Sequence, residues 1–274
     1  EQVELFWNKV AEEKTEFNIH VKAPYLLNSV LSTEIGFNIF RQDSTFLNTN
    51  FNFKTEYDLN NTSKLSFLFS GEKSTYLLNM DTSNFDSFSN YFAGIEFDSK
   101  ILSKNTLFKY KFKFNIKSMI GKRKSARDNA TQLKWNLSSM INLKTSERSY
   151  FYINNESGIL TSNNYLTNEL FRIGGANSMR GFNEQSIFTN QYSYLNLEYR
   201  YLTSLSSYVY SITDIGLFSD VFTSKLNKPI GFGIGYGFKL NSNHINFAYA
   251  NGFNYGNTTK LKNSKVIIKW TSFF

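Results

Sequence analysis

Apolar and polar residues alternate along nearly the whole chain, and a period of two predicts strands rather than helices. Between Gly231 and Leu240, one face carries Phe232, Ile234, Tyr236, Phe238 and Leu240, and the other Gly231, Gly233, Gly235, Gly237 and Lys239. Between Thr106 and Ile120, Phe108, Tyr110, Phe112, Phe114 and Ile116 oppose Lys109, Lys111, Lys113, Asn115 and Lys117. Leu133, Trp135, Leu137, Ile141 and Leu143 oppose Lys134, Asn136, Ser138 and Asn142 in the same way. Similar stretches at 3–8, 15–23, 30–40, 46–58, 64–70, 90–98, 147–156, 192–202, 206–218, 243–250 and 264–274 bring the expectation to about fourteen strands. Turn-rich links such as Asn60–Ser63 and Ser103–Asn105 are short, while longer polar loops are expected at Gly121–Ala130 and Val221–Lys228. The longest stretch without alternation runs from about Thr161 to Asn190.

Composition decides what each face meets. The 274 residues include 28 Phe and 17 Tyr, and large rings occupy the apolar face of nearly every strand. Packed into one core they would overfill it, whereas facing lipid they need no partner. Strands of about ten residues tilted by roughly 40° rise about 25 Å, the height of an outer-membrane hydrocarbon band. A closed antiparallel sheet also satisfies every backbone amide, as lipid demands. The reading is an all-β, antiparallel transmembrane β-barrel, a single domain over residues 1–274, with the 161–190 loop folded into a hydrated or plugged lumen. No apolar run approaches the roughly 18 residues of a membrane-spanning helix.

Other chemistries find little material. The absence of cysteine removes disulfides, thiolate metal sites and cysteine nucleophiles. Two histidines, His20 and His244, are expected in the lumen and in a turn, and neither lies near a matching serine and acid. No catalytic residue, metal or cofactor is therefore expected. A formal charge of +8 suits nucleic acid, anionic lipid or a basic lumen alike. The basic run Lys122-Arg123-Lys124 with Arg127 falls in an expected rim loop, where solvation or lipid headgroups suit it better than nucleic acid. The lysine face 109–117 reads as a hydrated wall, with lipopolysaccharide or an anionic substrate as the alternative. The glycines at 231–237 either leave room for a docked loop or ease strand curvature.

Inside the long connection lies Ile173-Gly174-Gly175-Ala176-Asn177-Ser178-Met179-Arg180-Gly181-Phe182, a glycine-rich segment presenting one cation. Downstream, Glu198 and Arg200 share the face opposite Leu195, Leu197 and Tyr199, and Asp214 opposes Ile215 and Leu217. An arginine folded inward needs a partner, and its planar fork suits carboxylates. The expectation is an Arg180–Glu198/Asp214 latch pinning the loop to the wall, against the plainer alternative of a solvated loop arginine.

Gly174, Gly175, Ser178, Arg180, Gly181 and Phe182 resemble the GG-x-x-S-[VL]-R-G-[FY] signature of the BamA/TamA superfamily of outer-membrane assembly and translocation barrels. Glu198-Tyr199-Arg200 looks like that family's E-x-R, and Asp214-Ile215-Gly216 like its D-x-G. Ala23-Pro24-Tyr25-Leu26-Leu27 resembles a periplasmic turn of the family, and a glycine-rich strand and a last strand ending at Phe274 complete the order. Met179 stands where Val or Leu is usual, and Ile212 where relatives often carry an aromatic. The resemblance implies a sixteen-stranded barrel preceded by POTRA domains; those domains and the first two strands are expected to lie outside this chain, which opens on Glu1 without a leader.

It further implies an outer-membrane location and a non-enzymatic role in inserting or translocating unfolded outer-membrane or secreted polypeptides. Lipids, lipopolysaccharide among them, and accessory subunits are implied partners; nucleic acid is not. The last strand, with Val266, Ile268, Trp270 and Phe274 on one face, reads as an assembly signal or a pairing edge. A passive channel or structural barrel without a working lateral gate is the alternative.

Overall fold

A computed structural model describes residues 2–10, 14–25, 29–78, 84–223, 225–254 and 261–272. The strands in chain order begin with β1 (Gln2–Val10), β2 (Lys14–Ala23), β3 (Leu31–Gln42), β4 (Phe46–Asn60), β5 (Ser63–Tyr76) and β6 (Phe88–Leu102). There follow β7 (Tyr110–Ser125), β8 (Asn129–Lys144) and β9 (Ser149–Thr161). The long connection carries only β10 (Phe171–Ile173), β11 (Ile187–Thr189) and one 3-10 turn at Thr167–Glu169. After it come β12 (Gln191–Leu202), β13 (Ser207–Asp220), β14 (Lys225–Asn227), β15 (Pro229–Leu240), β16 (Asn243–Asn254) and β17 (Lys265–Ser272).

A 15-stranded sheet runs from β1 through β9, then β12, β13, β15, β16 and β17, with the short β14 attached to β13. Setting β14 aside leaves the fourteen long strands that alternation predicts. The pairings from β1 to β5 and from β12 to β17 are antiparallel, as short hairpin connections require. β10 and β11 pair only with each other in a small hairpin.

The boundaries correct several expectations. β7 and β8 extend so far that Gly121–Ala130 is not a long loop: only 126–128 separate them. β7 starts at Tyr110, not at 106, so Phe108 leaves the lipid-facing row and is buried with Leu107 beside Tyr150 and Tyr208. His244 lies within β16, opposite Lys239, rather than in a turn. Val221–Lys228 includes β14.

Polarity is inverted relative to a water-soluble sheet. On β13 the buried face presents Tyr208, Tyr210, Ile212, Asp214, Gly216 and Phe218, while Ile215 and Leu217 are exposed. Phe67, Ile120, Trp135, Ile234 and Val266 are exposed on other strands, and Glu56, Arg123, Gln132 and Asn142 are buried. An apolar face this extensive needs an apolar solvent. The rings are not all outward, however: Phe40 and Phe46 are buried 6.1 Å apart on the inner face.

The residues form two compact units. One comprises Glu1–Asp98, Asn115–Asn136 and Ile159–Leu170. Its inner face carries interleaved charges: Lys22 bonds Glu34 at 2.5 Å and pairs with Glu56, and Lys54 meets Glu56 at 3.0 Å and Glu96 at 3.5 Å. The other comprises Ser99–Phe114, Leu137–Gly158 and Phe171–Phe274, and it holds the arginine motif.

Candidate functional site

The motif is shaped locally before it meets the wall. Gly174, Gly175 and Gly181 take φ of 117°, 99° and 90°, conformations that side chains rarely allow. The coil closes on itself: the Ser178 hydroxyl accepts from the Gly174 amide at 2.9 Å, and Gly175 donates to the Met179 carbonyl at 3.1 Å. The Ala176 amide donates to Glu184 at 3.0 Å. Met179 is fully buried among Ile173, Tyr194 and Phe218, which anchors the coil on its apolar side.

Arg180 projects from this coil onto β12 and β13. Its backbone amide and Nε donate to Asp214 Oδ2 at 2.8 and 2.9 Å, and Nη2 donates to Oδ1 at 2.6 Å. Nη1 bonds Glu198, whose second oxygen accepts Arg200 Nε at 2.7 Å. Asn196, which faces Asp214 across the β12–β13 register, donates to the Ser178 carbonyl at 2.8 Å. Asp214 is fully buried, and Arg180 and Glu198 nearly so. Burial works against the charge of Arg180, but Asp214 and Glu198 outweigh it and hold the guanidinium above its ordinary pKa.

The structure thus brings together Arg180, Glu198, Arg200 and Asp214, the residues singled out by the sequence. Gly216 lies on the same face two residues on from Asp214, against Pro229 and Phe218. Sequence reasoning missed the aromatic support. The Arg200 guanidinium lies 4.0 Å from the Tyr152 ring centroid and 4.7 Å from that of Phe108, two close cation–π contacts.

The structure also defines the seats that receive the loop, of which the sequence offered 231–237 but not Gly252. A Cβ on Gly231 would strike the Arg180 carbonyl oxygen, and one on Gly252 would come within 2.6 Å of the Phe182 ring. Gly235 and Gly237 leave space for the rings of Tyr210 and Tyr208. Gly231 therefore makes room for the docked loop, whereas a Cβ on Gly233 would strike the β16 backbone at Tyr249 and Ala250, so the loop-seat reading holds at Gly231 and close strand packing accounts for Gly233. The clue for Gly252 was available: it directly faces Gly231 across the β15–β16 register.

On β17, Val266, Ile268 and Trp270 are exposed on the outer face, and Lys269 reaches the loop, donating to Asn177 Oδ1 at 2.8 Å. Phe274 lies outside the described residues, as do Leu26 and Leu27. A polar cavity of about 230 Å³ beside Arg180 is lined by Tyr152, Asn154, Arg200, Asn246 and Lys269 among others. Among the described residues, no three His, Cys, Asp or Glu side chains are grouped to hold a metal ion. The basic run departs from expectation: Arg123 is not solvated but fully buried and paired.

No protein-family model matches the chain, and no curated protein matches it in sequence. Solved structures do match in shape. BamA from Haemophilus ducreyi lacking POTRA domains 1–3 superposes with a TM-score of 0.66 at 12% identity, covering 95% of this chain and 62% of that one. CdiB from Escherichia coli gives 0.64 at 13% identity over 94% and 52%, and CdiB from Acinetobacter baumannii 0.55 at 12% over 92% and 55%. The chain thus spans between 52% and 62% of the length of these structures. With its polarity inversion, continuous antiparallel strand order and inward loop, the chain has the transmembrane β-barrel fold of the BamA type.

Proposed function

We propose that this barrel handles polypeptide at the bacterial outer membrane, inserting β-barrel proteins or passing chains across, without covalent chemistry. The observation that carries this reading is the buried Arg180–Glu198–Asp214 network, with the loop backbone seated on Gly231, in a fold shared with BamA and CdiB. In lipid an unpaired strand edge is costly, so an incoming strand that satisfies it offsets the opening of the wall. The backbone of β17, last in the strand order, supplies such an edge, with Val266, Ile268 and Trp270 on its outer face toward lipid, and the latched loop stiffens the strands behind it. The substrates are unfolded outer-membrane or secreted polypeptides; lipids, lipopolysaccharide and accessory subunits are the remaining partners, and nucleic acid has no role.

A second reading, a passive channel or structural barrel, is favoured by the charged inner wall at Lys22, Lys54, Glu56 and Glu96. Reconstitution of the full-length protein in liposomes separates the two. The expected result is faster folding of an added unfolded barrel protein, lost in Arg180→Ala and in Asp214→Ala. Ion conductance without acceleration would establish the second reading instead.

A further inference from the structure

The long connection is held at a second place, and there the charges are reversed. On β7 the alternation turns Lys122 and Lys124 outward and Arg123 inward, where its side chain is fully buried. Its Nη2 donates to both oxygens of Asp128, in the turn before β8, at 2.7 and 2.9 Å. Its Nη1 donates to Glu169 at 2.5 Å and to the Asn164 carbonyl at 3.2 Å, both in the long connection. Two carboxylates surround one guanidinium, and neutral donors complete Glu169: Gln132 from β8 at 2.8 Å and the Leu166 amide at 2.9 Å. Beside them, the Asn168 side chain donates to Ser74 at 2.6 Å and to the Asp86 carbonyl at 2.8 Å, and the Asn168 backbone carbonyl accepts from the Asn48 side chain at 2.9 Å.

We propose that Arg123 is a second positioning residue for the loop, anchoring Asn164–Leu170 independently of Arg180. Releasing Arg180 then frees the segment 171–190 while the first part stays on the wall. This rests on the reading of the loop as the working part of the barrel. Here the wall supplies the cation and the loop the anion, whereas at Arg180 the loop supplies the cation. A loop seated in the wrong place would bring like charges together, so the reversed polarity also specifies register.

Hydrogen exchange of the full-length protein in lipid nanodiscs, without added polypeptide, tests this. Arg123→Ala strands the buried Glu169 carboxylate and leaves the partly exposed Asp128 without its cation, and it is expected to speed exchange of the Leu166, Thr167, Glu169 and Leu170 amides roughly 100-fold, leaving 171–190 within about threefold. Arg180→Ala is expected to do the reverse. Arg123→Lys, keeping charge but losing the fork, should restore part of the protection. Should Arg123→Ala fail to fold, Glu169→Gln is the milder variant, with a smaller gain confined to 164–170.

Loosening of both segments together in these variants, or unchanged protection of 164–170, overturns the proposal. Because no insertion activity is read, two independent exchange blocks in an inactive barrel would uphold it while refuting the functional reading.

Discussion

Asp214 accepts three hydrogen bonds from a single residue, Arg180, including one from its backbone amide. A pairing that uses backbone and side chain together fixes the coil as well as the charge. Removing the guanidinium leaves Glu198 and Asp214 buried without a full counterion, so Arg180→Ala is expected to lower stability by about 3–5 kcal/mol. Arg180→Lys keeps the charge but loses the fork and should recover only part of this. Urea unfolding in lipid vesicles measures both.

Asp128 carries a pH signature. Slight burial pushes its carboxyl up, but the hydrogen bond from Asn164 and the charge of Arg123 outweigh that and lower it below 3.8. A lowered carboxylate contributes stability above its ordinary value and loses it as pH falls through the lowered one. Glu169, pushed up by burial despite Arg123, carries the opposite sign. The wild-type profile therefore mixes the two, and the difference from Asp128→Asn isolates one. That difference in unfolding midpoint should be full at neutral pH, start to shrink near pH 3.8, and vanish only as pH falls through the lowered value.

Strands were legible because alternation is a local property. The faces of β15 follow from counting every second residue, as do the inward positions of Glu198 and Asp214. What stood opposite each glycine was not legible, since that depends on how the loop and β13 return over β15. Gly231 meets a backbone oxygen, which cannot swing aside, whereas Gly237 meets the Tyr208 ring and Asn246 side chain. Gly231→Ala is therefore expected to destabilise by about 1–3 kcal/mol and Gly237→Ala by less. Thermal unfolding midpoints of the two variants should rank in that order. Phe108 shows the reverse error: it continues the alternation of β7 in sequence, yet it lies before the strand starts and turns inward to Arg200.

Across the molecule the exposed surface is the greasy one. Ile234 is 63% exposed on β15, an exposure that water would penalise and lipid would not. Ile234→Lys is expected to lose about 2–4 kcal/mol if the residue lies at mid-bilayer, with less at the membrane edges. Refolding titrations into vesicles measure it, and an unchanged midpoint would remove the lipid-facing assignment. The period of two was enough to reveal the fourteen long strands and the apolar side of most of them, though not the short β10, β11 and β14, because it follows from neighbouring residues alone. The sign of Arg180 and of the two later acids pointed to their pairing through motif order. Arg123 could not be read that way: its partner Glu169 is 46 residues distant, and whether a charge is hydrated or buried depends on which distant segment folds over it.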